Sequence, residues 1–498
     1  SQSVRACAQR RRRAARALRT WPGARAPRCA AVRHSTSLVV SSQGRGVSMR
    51  HGDAKVAFVS DNPGTSYGEV NAVVFVVLVA AWACVTVRER CKSWASTSTK
   101  TTLLVGTETA MLALATLASM FAATKALAVA CAVAGGCFLY WACNARPALG
   151  SRANSAAFTC EDALTLYRFT LAMMTVVAIL AVDFTLFPRR LGKTETYGVS
   201  LMDVGAGSFV FSSSVVSRFA RGKEKRNLRA SRRKVMQVML LGLARLAITT
   251  MIGYHSVETE YGRHWNFFFT LAVIQVCADT LPIAAHRALP FGLLISFAYQ
   301  YVLSCHGLSA WILQAPDVRS HESETKVLTR FVSMNREGVS SACGGYFAIH
   351  LIAAHLGNAL SKPVLNFSTW LQTMAIVTCA FWFAAIASHA YVEPTSRRAG
   401  NAAYVLWIVA FNLQVIIVYV CMTWFARSAN GQGKCDIPVL ASAINRRQLF
   451  VFVVGNALTG LTNLAVDTIN ADANTAWGVM SLYLSAISIV ALAMDRRK

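Results

Sequence analysis

Charge is what this sequence has little of. Only 15% of its 498 residues are Asp, Glu, Lys or Arg, against 54% hydrophobic residues. A soluble chain of this length carries far more charge on its surface, so the soluble classes are excluded. Acidic residues are scarcest, 23 against 50 basic, and residues 1–48 contain none. No Cys-x-x-Cys pair exists, so the 14 cysteines signal neither a zinc site nor a disulfide framework. They read as small buried hydrophobes, among them Cys131, Cys137, Cys277, Cys379 and Cys421. A Walker sequence, His-Glu-x-x-His and a protein-kinase set are missing as well. Nothing points to a covalent nucleophile, a metal or a bound cofactor.

What is present is a succession of apolar runs of the length a helix needs to cross about 30 Å of hydrocarbon. They fall at roughly 70–87, 102–123, 125–143, 166–186, 198–217, 235–254, 265–284, 288–304, 341–360, 368–391, 403–425, 448–466 and 476–494. The expected fold is all-α, a polytopic membrane protein with about 13 transmembrane helices. No soluble domain is expected, because the longest loop, about 305–340, is too short to bury its own core.

The net charge of +27 invites a nucleic-acid reading, but its distribution opposes one. Basic residues concentrate in the first fifty positions and in short loops, as orientation in a bilayer requires. Loops after odd-numbered runs hold about twice the Lys and Arg of those after even-numbered runs. The heaviest loop is Arg218–Lys234. Positive loops stay cytosolic, so the C-terminus is expected in the cytosol and the N-terminus on the opposite side. Eleven arginines in residues 1–48, with the run Arg10–Arg13, conflict with a translocated N-terminus. Those residues resemble a mitochondrial transit peptide in composition. They are read here as a disordered or extraneous extension, with residues 49–498 as the multi-pass domain.

The chain is organised around Ala181–Phe211. One apolar run ends near Asp183, and Phe187-Pro188 stops it. Arg189, Arg190 and Lys193 follow, and Asp203 opens the next run among Gly198, Gly205 and Gly207. Charge at a bilayer is costly and points to function. Other polar groups fall on the same, even-numbered side: Glu258, Glu260, His264, Trp265, Asn266, Asn335, Arg336, Glu337, Arg397 and Arg398. Converging loops would form a cationic pocket suited to a phosphate-bearing headgroup or to coenzyme A. The bland readings are interfacial anchoring for the arginine pairs, an aromatic belt for Trp265 and a solvated face for Glu258 and Glu260. His350 and His355 read as hydrogen-bonded packing residues, and the glycines as close helix packing.

Several segments together resemble one family: FPRRLGKTETYGVSLMDVGAGSFVF (187–211), EYGRHWNFFFT (260–270), NREGVSS (335–341) and SRRAGNAAYVLWIVAFN (396–412). INRRQLFVF (444–452), LTGLTNLAVDT (458–468) and KVAFVSDNPGTS (55–66) belong with them. They are similar to the PIG-W/Gwt inositol acyltransferases of glycosylphosphatidylinositol-anchor biosynthesis. The match departs at Gly400 and Ala402, where the family more often has larger residues. The resemblance implies a multi-pass enzyme of the endoplasmic reticulum membrane. It would transfer a fatty acyl group, typically palmitoyl, from acyl-CoA as co-substrate to the inositol hydroxyl of glucosaminyl-phosphatidylinositol. It assigns Asp183 and Lys193 to the reactive pair, one as base for the hydroxyl proton and one for the oxyanion. A plain interfacial ion pair is the structural alternative for those two residues. The functional alternative is a secondary transporter of a phosphorylated or lipid-like substrate.

Overall fold

The computed structural model describes residues 58, 60, 62–91, 98–144, 158–222, 228–251, 261–262, 264–281, 283–313, 327–430 and 435–496. The extension 1–48 and the pair Glu258 and Glu260 lie outside them. Each of the thirteen expected spans coincides with a helix. These are α1 (Tyr67–Arg90), α2 (Ser98–Phe121), α3 (Ala123–Asn144), α4 (Glu161–Ala181), α5 (Leu201–Val215), α6 (Leu228–Met251), α7 (Phe267–Thr280) and α8 (Ala288–Cys305). Two short helices follow, α9 (Leu308–Leu313) and α10 (Val327–Met334). Then come α11 (Arg336–Leu360), α12 (Phe367–Tyr391) and α13 (Ala402–Asn430), the short α14 (Val439–Arg446), α15 (Gln448–Ala465) and α16 (Ala473–Arg496). Eleven of them are long and apolar enough to cross a bilayer. The fold is that of a multi-pass membrane protein.

α13 is the axis of the bundle. It packs on α12, α4, α5, α11 and α1, and 78% of its apolar stretch is buried, as is that of α11; for α6 the figure is 6%. A helix hydrophobic all round is either buried in protein or faces lipid. For that reason the sequence does not separate the two. Cys131 and Cys379, read above as buried, point out of the bundle, Cys277 and Cys421 are half-buried, and only Cys137 of the five is buried. Lipid is as apolar as a core, so the outward positions carry the same residue types.

Two helices are short. α5 has 15 residues and α7 has 14. At 1.5 Å per residue each covers about 22 Å, less than the hydrocarbon thickness. Both have buried N-terminal caps, Ser200 and Asn266, on the side where the even-numbered loops gather. The segments at their ends must cover the rest of the hydrocarbon thickness. Irregular backbone at such depth is tolerated only where protein buries it.

Candidate active site

Asp203 is the first knot of the converging loops. In the opening turn of α5 its backbone N–H donates to Ser200 Oγ at 3.1 Å, capping the helix. Its Oδ2 accepts from Ser200 Oγ and Thr194 Oγ1, both at 2.8 Å, and Oδ1 from Arg397 Nε at 2.8 Å. Asp203 is 1% exposed and Arg397 is 4%. Tyr404 of α13 donates to the Asp203 carbonyl at 2.9 Å and accepts from Gly207 N at 3.1 Å. A side chain at Gly207 would meet Ile408 and the Tyr404 hydroxyl within 2.8 Å, so this glycine does serve close helix packing. Gly205 meets nothing, and Gly198 is a loop residue at φ +140°.

Glu337 is the second knot. Arg398 Nη2 donates to it at 3.0 Å, and Arg398 Nη1 reaches the Glu195 carbonyl at 2.8 Å. Arg336, also buried, lies 3.9 Å from Glu337 and over the Trp311 ring. Asn335 accepts from His264 N at 2.8 Å, and Gly338 N donates to the Tyr261 carbonyl at 3.1 Å. Trp265 packs on Gly338, where any Cβ would lie 2.2 Å away, and donates to Thr270. Asn266 caps α7 and donates to the Gly242 carbonyl. The loop 396–401 lies against α11 where that helix widens to a π-turn over Ala342–Tyr346. A Cβ on Gly345 would sit 2.0 Å from the Gly400 carbonyl oxygen.

The loop 182–200 is built on these knots. After α4 the chain turns tightly through Asp183, whose Oδ2 accepts from Asn463 Nδ2 of α15 at 2.7 Å. Asn463 Oδ1 in turn accepts from the buried Thr468 hydroxyl at 3.4 Å, which turns the amide nitrogen toward Asp183. Arg189 donates to the carbonyls of Val182, Phe184 and Phe187, closing the turn, with its guanidinium 4.3 Å over the Phe58 ring. Burial pulls the Arg189 guanidinium below its ordinary value, and the Asp183 carboxylate offsets part of that. Arg190 is half-exposed and pairs with Glu69 at 2.8 Å. The Lys193 carbonyl accepts from Asn62 at 3.1 Å, and the next residue, Thr194, is held by Asp203. Gly192 fits only without a side chain, because a Cβ would lie 2.8 Å from Asn62. Gly64, at φ +73°, lets the segment before α1 press on Thr194, and Thr65 N bonds the Val199 carbonyl at 2.6 Å. Lys193 thus leaves a backbone fixed on both sides.

A family model described as GWT1 matches residues 51–494. This chain belongs to the GWT1 family. A relative from Dictyostelium discoideum, named phosphatidylinositol-glycan biosynthesis class W protein, is 33% identical over 375 residues, 66% of this chain and 73% of the relative. The mouse glucosaminyl-phosphatidylinositol-acyltransferase PIGW is 32% identical over 376 residues, 67% of this chain and 73% of its own. The GPI-anchored wall transfer protein 1 of Aspergillus oryzae is 35% identical over 375 residues, 67% and 72%.

In this GWT1-family chain the loops expected to converge do converge, and their charges are largely turned on one another. Arg397 and Arg398 are buried in pairs with Asp203 and Glu337, while Arg189 and Asn266 satisfy backbone. His264 is exposed at the rim, and Asp183 and Lys193 are partly exposed. Sequence reasoning missed Asn62, Asn463 and Glu393. Asn463 had a signal, a polar side chain in the last turn of an apolar helix. Glu393 had one too, a single carboxylate just past a 25-residue apolar helix.

The pentapeptide Gly64-Thr65-Ser66-Tyr67-Gly68 has the Gly-x-Ser-x-Gly spacing of a nucleophile elbow, but not its setting. Among the described residues no strand precedes it, and Ser66 is the N-cap of α1, its Oγ accepting from Glu69 N at 3.2 Å. The neighbouring Tyr67 hydroxyl bonds Thr395 at 2.8 Å, and both meet His389 Nδ1 at the end of α12. That trio ties α1 to the loop after α12.

Proposed function

We propose that this chain transfers a fatty acyl group of the palmitoyl class from acyl-CoA to the inositol hydroxyl of glucosaminyl-phosphatidylinositol, in the endoplasmic reticulum membrane. The observation that carries the reading is a partly exposed carboxylate, Asp183, held by Asn463 where the loops converge, in a chain whose mouse relative is named a glucosaminyl-phosphatidylinositol acyltransferase. Asp183 takes the hydroxyl proton as the oxygen attacks the thioester carbonyl. The Lys193 ammonium stabilises the oxyanion that forms. The C–S bond then breaks, and the CoA thiolate leaves with the proton from Asp183. No acyl-enzyme is needed. The apolar helices around the converging loops receive the acyl chains, and those loops face the lumen with the C-terminus in the cytosol.

The test is purified protein with acyl-CoA and glucosaminyl-phosphatidylinositol in vesicles. Inositol-acylated lipid with one CoA thiol released per acyl transferred is expected. Movement of lipid or acyl-CoA across the vesicle without thiol release would overturn the reading in favour of a transporter.

A further inference from the structure

Two loops and the helices α8 and α9 meet at a carboxylate that the acyl-transfer chemistry leaves unused. Glu393 follows α12 and is partly exposed. Its Oε1 accepts from the Tyr197 hydroxyl at 2.8 Å and the Ser309 hydroxyl at 2.5 Å, and its Oε2 from Gln300 Nε2 at 2.7 Å. Every donor is neutral. The other carboxylates that join these loops each have an arginine: Glu69 has Arg190, Asp203 has Arg397 and Glu337 has Arg398. Among the described residues no cation reaches Glu393.

A partly exposed carboxylate held in place by neutral donors is open to pairing with an arriving cation. Beside it the Tyr197 ring is 39% exposed, and an aromatic face next to a carboxylate favours an ammonium group. Gly198 N bonds the Thr395 carbonyl at 2.8 Å, so the Glu393 loop is tied to the loop that carries Lys193, four residues before Tyr197. On the acceptor lipid, the amino sugar is the ring joined to the inositol that takes the acyl group.

We propose that Glu393 and Tyr197 form the subsite for the ammonium group of the acceptor's glucosamine; this rests on the acyltransferase reading above.

The experiment compares glucosaminyl-phosphatidylinositol with glucosyl-phosphatidylinositol, in which a hydroxyl replaces the amine at nearly equal bulk. The wild-type enzyme is expected to favour the amine in kcat/KM by roughly 10- to 100-fold, the range for a hydrogen bond to a charged group. Glu393→Gln should lose that preference through KM for the amine lipid, with a much smaller change in kcat/KM for the glucosyl lipid. If Glu393→Gln does not fold, Glu393→Asp carries the test: a KM rise of about 10-fold confined to the amine lipid supports the subsite. Equal changes on both lipids, in either variant, overturn it, as does a wild-type enzyme without preference. Absence of acyl transfer to either lipid would instead sink the acyltransferase reading itself.

Discussion

Replacing Asn463 by Leu removes its hydrogen bond to Asp183, together with the one it accepts from Thr468, which makes it a probe of Asp183. The bond to Asp183 is 2.7 Å long and falls on Oδ2. A hydrogen bond to a charged group contributes about 1.5–3 kcal/mol. It favours the ionised form, so its loss raises the carboxyl pKa. The base must be ionised to accept a proton. The acid limb of kcat/KM against pH is therefore expected to move to higher pH in Asn463→Leu. At the plateau kcat falls by roughly 10-fold, because the carboxylate is no longer held in one orientation. Asp183→Asn removes basicity altogether, and kcat is expected to fall by roughly 10²–10⁴. The double variant should be little worse than Asp183→Asn alone, since the two residues act as a unit. Acyl transfer is followed by thiol release, and melting temperature is measured on the same samples. An acid limb unmoved by Asn463→Leu, or near-normal turnover in folded Asp183→Asn, would refute the assignment of Asp183 as base. Recovered turnover in the exchanged pair, Asp183→Lys with Lys193→Asp, would make the two a scaffold.

Arg397→Met leaves the buried Asp203 carboxylate without its cation and is expected to cost about 3–5 kcal/mol, read as a lower melting temperature in detergent; an unchanged melting point contradicts the knot. Gly345→Ala forces a methyl group against the Gly400 carbonyl and should cost about 1–3 kcal/mol on the same assay. A cysteine at the exposed Thr196, in a background free of reactive thiols, should be labelled by an impermeant reagent only from the lumenal side of sealed microsomes. Cytosolic labelling reverses the proposed orientation.

The helices were legible because a span of hydrocarbon imposes a length, and each apolar run meets it. What the runs do not encode is which face of a span meets protein. Outward Cys131 and Cys379 have the same apolar neighbours as buried Cys137. The converging loops were legible from their charged residues, since charge is conspicuous in a chain with so little of it. The partners of those charges were not. Arg397 meets Asp203 across 194 positions and Arg398 meets Glu337 across 61, and no local pattern links such pairs. The same holds for Asn463 on Asp183, separated by 280 residues.

The short helices explain why so many arginines are spent inward. With α5 and α7 each about 22 Å long, the segments at their ends, the loop 182–200 among them, must cover the rest of the hydrocarbon thickness. Polar backbone at that depth must be satisfied by protein. Arg189 answers it with three carbonyl contacts, Arg398 with the Glu195 carbonyl, and Asn62 with that of Lys193. The proposed reaction would gain two things from this. An acceptor whose acyl tails stay in lipid would present its headgroup to Asp183 without leaving the membrane. The reacting charges of that proposal would also act in a medium less polarisable than water, where the Lys193 ammonium would stabilise an oxyanion more strongly. Buried ion pairs contribute little net stability in themselves. Here their work is to hold a polar loop in a place where, unsupported, it would not stay.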